Sequence, residues 1–140
     1  MALRVDYQNE KFRLRGKRKI LAWLEGVLNS EGSEAGDIAF IFTDDNYLRE
    51  INRKFLEHDY FTDVITFDYS TARGIIEGEI YISSDTVREN SKIYNTGMEM
   101  EILRVMVHGL LHLTGYDDKS EGERKLMREK EDYYLSRRVD

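Results

Sequence analysis

Between about Met98 and Thr114 the chain carries Ile102, Leu103, Val105, Met106, Val107, Leu110, Leu111 and Leu113, and on a helix these point in nearly every direction. Such a helix has no side to give to water, so the rest of the fold has to wrap around it. The chain's 140 residues, 41% of them apolar, supply enough material for one compact domain over 1–140 and little room for a second.

The wrapping is legible from the patterns on either side. Leu3 to Tyr7 reads as a first strand, and Ile20, Leu21, Trp23, Leu24, Val27 and Leu28 recur at helical spacing between Lys17 and Asn29. After a turn at Gly32 to Gly36, the run Ile38 to Phe42 is apolar throughout, as a strand covered on both faces would be. Asp44 or Asp45 is placed to cap a helix whose face carries Tyr47, Leu48, Ile51 and Phe55. Asp63 to Tyr69 and Glu79 to Ser83 read as two strands of a hairpin, with Gly74 and Gly78 in the connection. Ser84 and Asp85 are expected to cap a helix to about Tyr94, which Asn95 to Gly97 ends. The final helix opens on a capping box, Ser120 and Glu123, and its expected buried stripe is Leu126, Met127, Tyr133 and Tyr134. Proline is absent, so glycine, asparagine and capping side chains must set the helix limits. The coarse pattern is thus four strands and five helices.

The buried helix also carries polar groups that need a reason to be there. Its end reads His108-Gly-Leu-Leu-His112-Leu-Thr-Gly115-Tyr-Asp117-Asp118. Residues four apart on a helix are about 40° apart around the axis, so the two imidazoles leave one face and can aim at one point. Gly115 can enter a left-handed conformation, end the helix and return the chain, which brings Asp118 toward the same point. Asp117 is the competing carboxylate and reads as a loop or cap residue. Burying several uncompensated polar groups costs a few kcal/mol each, about what a shared cation would offset. Three ligands with an open fourth position describe a catalytic rather than a structural metal site, and the open position holds water. With no cysteine in the chain, the ion must be bound by nitrogen and oxygen. The spacing is similar to the long zinc-protease signature at both histidines and the glycine, but Gly109 stands where those enzymes have their general-base glutamate.

His108 to Asp118 resembles the signature of the YbeY-type endoribonucleases, H-G-x-L-H-L-x-G-Y-D-H, and two further blocks agree in order and spacing. Thr62 to Phe67 (TDVITF) is similar to the family's T-D-V-L-S-F segment, and Gly78-Glu79-Ile80 to its G-D/E-I strand. The resemblance implies a zincin-like α+β fold, a small mixed four-stranded sheet packed with about five helices, with which the coarse pattern is compatible, and a zinc-dependent, single-strand-specific endoribonuclease. Its implied work is the maturation and quality control of ribosomal RNA, with the small ribosomal subunit as partner. Asp118 departs from the family's third histidine, exchanging a neutral nitrogen donor for an anionic oxygen. The expected results are an ion-held water that deprotonates less readily and a weaker preference for zinc over other divalent ions. Leu56 departs from an arginine that the family usually places before the T-D-V block, and Arg53 and His58 flank that gap as candidate substitutes in substrate binding. Thr62 and Asp63 are also candidates for shaping the substrate cleft, with strand-start capping as their other reading. No general base is identifiable.

The formal charge of −6 opposes non-specific coating of nucleic acid, yet Lys11, Arg13, Arg15, Lys17, Arg18 and Lys19 crowd one stretch. That run is either a phosphate-steering patch or a solvated loop and helix turn. Nothing near the start reads as a secretory signal and no apolar run approaches the roughly 20 residues that cross a bilayer, so a cytoplasmic protein is expected. Two other functions fit parts of the pattern: a zincin-like metalloprotease, weakened by Gly109, and a non-catalytic ribosome-assembly factor, suggested by Leu56 and Asp118.

Overall fold

The computed structural model describes residues 2–8, 11–56 and 62–138. Within them the chain runs β1 (Ala2–Tyr7), α1 (Lys17–Ser30), β2 (Glu34–Thr43), α2 (Asp45–Leu56), β3 (Val64–Asp68), β4 (Ile75–Ser83), α3 (Ser84–Ile93), α4 (Met98–Leu113) and α5 (Glu121–Leu135). The sheet order is β1-β2-β4-β3, with β1, β2 and β4 parallel and β3 antiparallel to β4. This is the mixed four-stranded α+β arrangement that the family resemblance implies.

The apolar run of β2 is explained by its place inside the sheet. Ile38, Phe40 and Phe42 face one way, paired in register with Gly78, Ile80 and Ile82 of β4, and join the core formed with α1 and α4. Ala39, Ile41 and Thr43 face the other way and are also buried, so neither side of the strand meets water. On that second face α2 sets Leu48 and Ile51 against Ile65, with Tyr47, Phe67 and Tyr81 around them. α4 lies against β3, β4, α1, α3 and α5, and its apolar residues fill the space between sheet and helices as their all-round distribution demands.

Helix limits follow the available caps. Asp44 Oδ1 accepts from the Tyr47 amide at 2.8 Å to open α2, and Ser120 and Glu123 form the capping box of α5. α3 starts one residue before the expected cap: Ser83 accepts from the Thr86 amide, while Ser84 donates to the Thr43 carbonyl and Asp85 accepts from the Asp45 amide. Ser83 is preferred because it ends β4 in extended backbone, as an N-cap requires. The stripe of α5 is also rotated from the expectation. Met127, Tyr134 and Leu135 are buried, whereas Leu126 and Tyr133 are half exposed, because α5 is seated around Glu131.

Gly78 lies within β4 and not in the connection before it. A Cβ there would collide with the Phe67 carbonyl oxygen and come within 3.2 Å of Leu113 Cδ1. Its lack of a side chain lets β3, β4 and the end of α4 close on one another. We expect Gly78→Ala to lower unfolding stability by about 1–3 kcal/mol in chemical denaturation, because backbone rather than a yielding side chain opposes the added carbon.

Candidate metal centre

α4 presents His108 and His112 on one face, and their Nε2 atoms approach to 3.1 Å. Gly115 adopts φ 115°, beyond the helix end, and returns the chain so that Asp118 Oδ2 lies 3.3 Å from each Nε2. The three donor atoms form a nearly equilateral triangle. A tetrahedral ion with donors at about 2.0–2.1 Å places neighbouring donors about 3.3–3.4 Å apart, so this triangle fits one face of such a site. Among the described residues His108, His112 and Asp118 are the group of His and carboxylate side chains gathered closely enough to share a cation. Asp117 turns away and accepts from the Asp118 amide at 2.9 Å, a cap role.

The protons on the imidazoles are assigned by what lies behind them. His108 Nδ1 faces Glu131 Oε2 at 2.6 Å, and His112 Nδ1 faces the Tyr116 carbonyl at 3.0 Å. Carboxylate and carbonyl oxygens only accept, so both Nδ1 atoms carry hydrogen and both Nε2 lone pairs converge. Two lone pairs and a carboxylate oxygen at these distances repel unless a cation, proton or metal, lies among them. Burial alone would lower the His108 pKa, but the hydrogen bond and charge of Glu131, aided by Asp63 and Asp118, raise it above the ordinary histidine value.

Behind the imidazoles stand two acids that pattern reading did not find. Glu131, on α5, also accepts from Arg104 Nη1 at 2.9 Å, while Arg104 Nη2 reaches Asp132 at 2.7 Å. Glu31, after α1, accepts from the hydroxyls of Tyr116 and Tyr134 and from Lys130. It thereby holds Tyr116, whose carbonyl orients His112. Burial pushes the Glu31 pKa up, yet these three donors outweigh it and hold the carboxylate below its ordinary value of 4.5. The signal for Glu131 is present in the sequence: an acid spaced with Met127 and Tyr134 on the buried stripe of α5. For Glu31 there is none, because its partners are 85 to 103 residues away.

Two clefts, of about 650 and 310 Å³, meet at this triangle and share Asp63, His108 and Asp118. Asp63 therefore lies between the two clefts, and burial pushes its carboxyl above the usual range against the pull of His108. Thr62, Leu56 and the buried Asn52 border the smaller cleft. Arg53 does not reach either cleft; it pairs with Glu50 on the exposed side of α2. His58 lies outside the described residues. Of the basic run from Lys11 to Lys19 no residue borders either cleft, and Arg13 rests over the Tyr7 ring. No helix among the described residues is long and apolar enough to cross a membrane.

Gly109 accounts for the missing protease glutamate. It faces the sheet, and a Cβ there would lie 2.6 Å from Cγ2 of Ile80, a fully buried β-branched side chain. A glutamate at this position would lift α4 off β4.

The sequence profile described as "Endoribonuclease YbeY" matches residues 4–138. A protein named Endoribonuclease YbeY from Cytophaga hutchinsonii is 44% identical over 131 residues, covering 94% of this chain and 92% of its own. Its namesake from Flavobacterium psychrophilum is 49% identical over 124 residues, covering 89% and 88%. The solution structure of TM1509 from Thermotoga maritima superposes with a TM-score of 0.67 at 29% identity, over 96% of this chain and 87% of that one.

Two outcomes follow from the acids behind the histidines. Glu131→Gln, which keeps an acceptor and loses the charge, is expected to weaken zinc binding about tenfold and Glu131→Ala up to about a hundredfold, measured by calorimetric titration. Because the folded Glu31 pKa is depressed, its contribution is full above about pH 4.5 and is lost as pH falls through the folded value. The stability gap between wild type and Glu31→Gln should therefore close on acidification, read by denaturant unfolding at a series of pH values.

Proposed function

The chain belongs to the YbeY family of endoribonucleases, and from that premise we propose that it hydrolyses phosphodiester bonds of single-stranded RNA with one divalent ion, zinc foremost, held by His108, His112 and Asp118. The observation that carries this reading is the convergence of three acceptor atoms where two open clefts meet. When bound, the ion supplies Lewis acidity, acidifying a water and polarising a phosphoryl oxygen.

The chain's own residues do the rest. Glu131 and the Tyr116 carbonyl hold the imidazoles with Nδ1 protonated and Nε2 free to ligate. Asp118, held through its amide by Asp117, keeps an anionic oxygen on the third corner. Asp63 borders both clefts and so stands beside substrate on either side, while Thr62 shapes the smaller cleft. The substrate we infer is ribosomal RNA during maturation and quality control, with the small subunit as partner and the cytoplasm as the place of action. Residues 1–140 act as one metal-dependent hydrolase domain.

Metal content and cleavage measured together test the assignment. Wild-type protein is expected to carry about one ion per chain and to cut single-stranded RNA, and a chelator should stop it. Asp118→Ala is expected to lose more of both than the about 10–100-fold of an outer partner. RNA cut undiminished by both chelator and Asp118→Ala would remove the ion from the reaction.

A further inference from the structure

The two clefts that meet at the donor triangle differ in charge. The smaller is lined by no lysine or arginine among the described residues, whereas the larger is bordered by Arg104, Arg124 and Arg128. Arg104 is engaged by Glu131 and Asp132 and has little charge left to offer. Arg124 Nη1 instead donates to the carbonyls of Lys119 at 2.8 Å and Asp118 at 3.5 Å. Those acceptors are neutral: they hold the side chain beside the ligand loop, and no described acid pairs with it. Arg128, one turn further along α5, is exposed and forms no ion pair with a described residue.

The larger cleft also holds an aromatic ring. Tyr94, just past the end of α3, borders it with 67% of its surface exposed, which leaves its ring available to a ligand. The acids of the cleft are largely occupied. Glu101 accepts from the Thr96 hydroxyl at 2.9 Å, Glu131 is held by Arg104 and His108, and Asp118 belongs to the donor triangle.

Guanidinium groups with free donors beside an exposed ring are the combination that binds a single-stranded nucleotide, since cations take the backbone and rings take the base. Resting on the endoribonuclease reading, we propose that the larger cleft is the subsite for the nucleotide next to the scissile bond. Arg124 and Arg128 bind its phosphate, and its base stacks on Tyr94. The smaller cleft receives the other side of the strand against Leu56 and Val64. Duplex RNA cannot use such a subsite, because its bases are already stacked on one another.

Fluorescence anisotropy of a fluorescein-labelled, phosphorothioate-linked oligouridylate on the zinc-loaded protein tests the subsite, with steady-state cleavage of the unmodified oligouridylate alongside. The Arg124→Ala/Arg128→Ala variant should bind about tenfold or more weakly, with the log–log salt slope smaller by about 0.7 for each phosphate that is no longer neutralised. KM should rise more than kcat falls. Arg128→Lys should keep the slope. Tyr94→Ala should lose about tenfold at unchanged slope, and Tyr94→Phe should restore binding. Lys125→Ala, on α5 but outside the cleft, should bind as wild type does. A double variant with wild-type affinity and slope, in a protein that cuts RNA, overturns the subsite alone. So does Lys125→Ala weakening binding as much as the double variant, which would assign the effect to diffuse charge. Wild-type protein that neither binds nor cuts the oligouridylate overturns the endoribonuclease reading and the subsite with it.

Discussion

The close seating of α4 on the sheet governs the rest of the structure. Gly109 on the helix and Gly78 on β4 remove the two side chains that would hold the surfaces apart, so Ile80 meets helix backbone and Leu113 meets strand backbone. With one side of α4 committed to the sheet, His108 and His112 are turned toward the edge of the domain, where α5 and the loop after Gly115 can reach them. The same packing that gives the fold its core therefore aims the donors. It also leaves no room at position 109 for a proteolytic glutamate, so core packing limits which chemistry this arrangement supports.

Polar demand builds outward from that helix in layers. The two Nε2 atoms need a cation, the two Nδ1 atoms need acceptors, and those acceptors are themselves anchored: Glu131 by Arg104, and Tyr116 through Glu31, Tyr134 and Lys130. Each layer comes from a different part of the chain. An acidic protein of net charge −6 can still receive a polyanion, because most described acids around the clefts are paired internally while Arg124 and Arg128 form no ion pair with a described acid.

Much of this was legible from local pattern. The helix apolar on nearly every side, the strand covered on both faces, the capping box at Ser120 and the convergence of His108, His112 and Asp118 follow from periodicities and short spacings that neighbouring residues impose on each other. What stayed hidden depends on distant partners. Gly78 reads as turn punctuation until Leu113 and the Phe67 carbonyl are seen against it. Leu126 and Tyr133 read as core until Glu131, bonded to His108, sets the rotation of α5. Arg53 reads as near the site in sequence, yet a helix turns it toward Glu50. The Glu31 anchor joins residues from opposite ends of the chain, and no window of sequence contains both.

The position of Glu131 has a consequence for the order in which the protein is made. Synthesis delivers α4 and Asp118 before α5, so a nascent polypeptide can carry all three donor residues while His108 still lacks the carboxylate that fixes its ring. Arg104 would meanwhile stand without its acidic partners. Until α5 docks, the three donors lack this outer carboxylate, so the hold on an ion is tuned by a segment made after every one of its ligands.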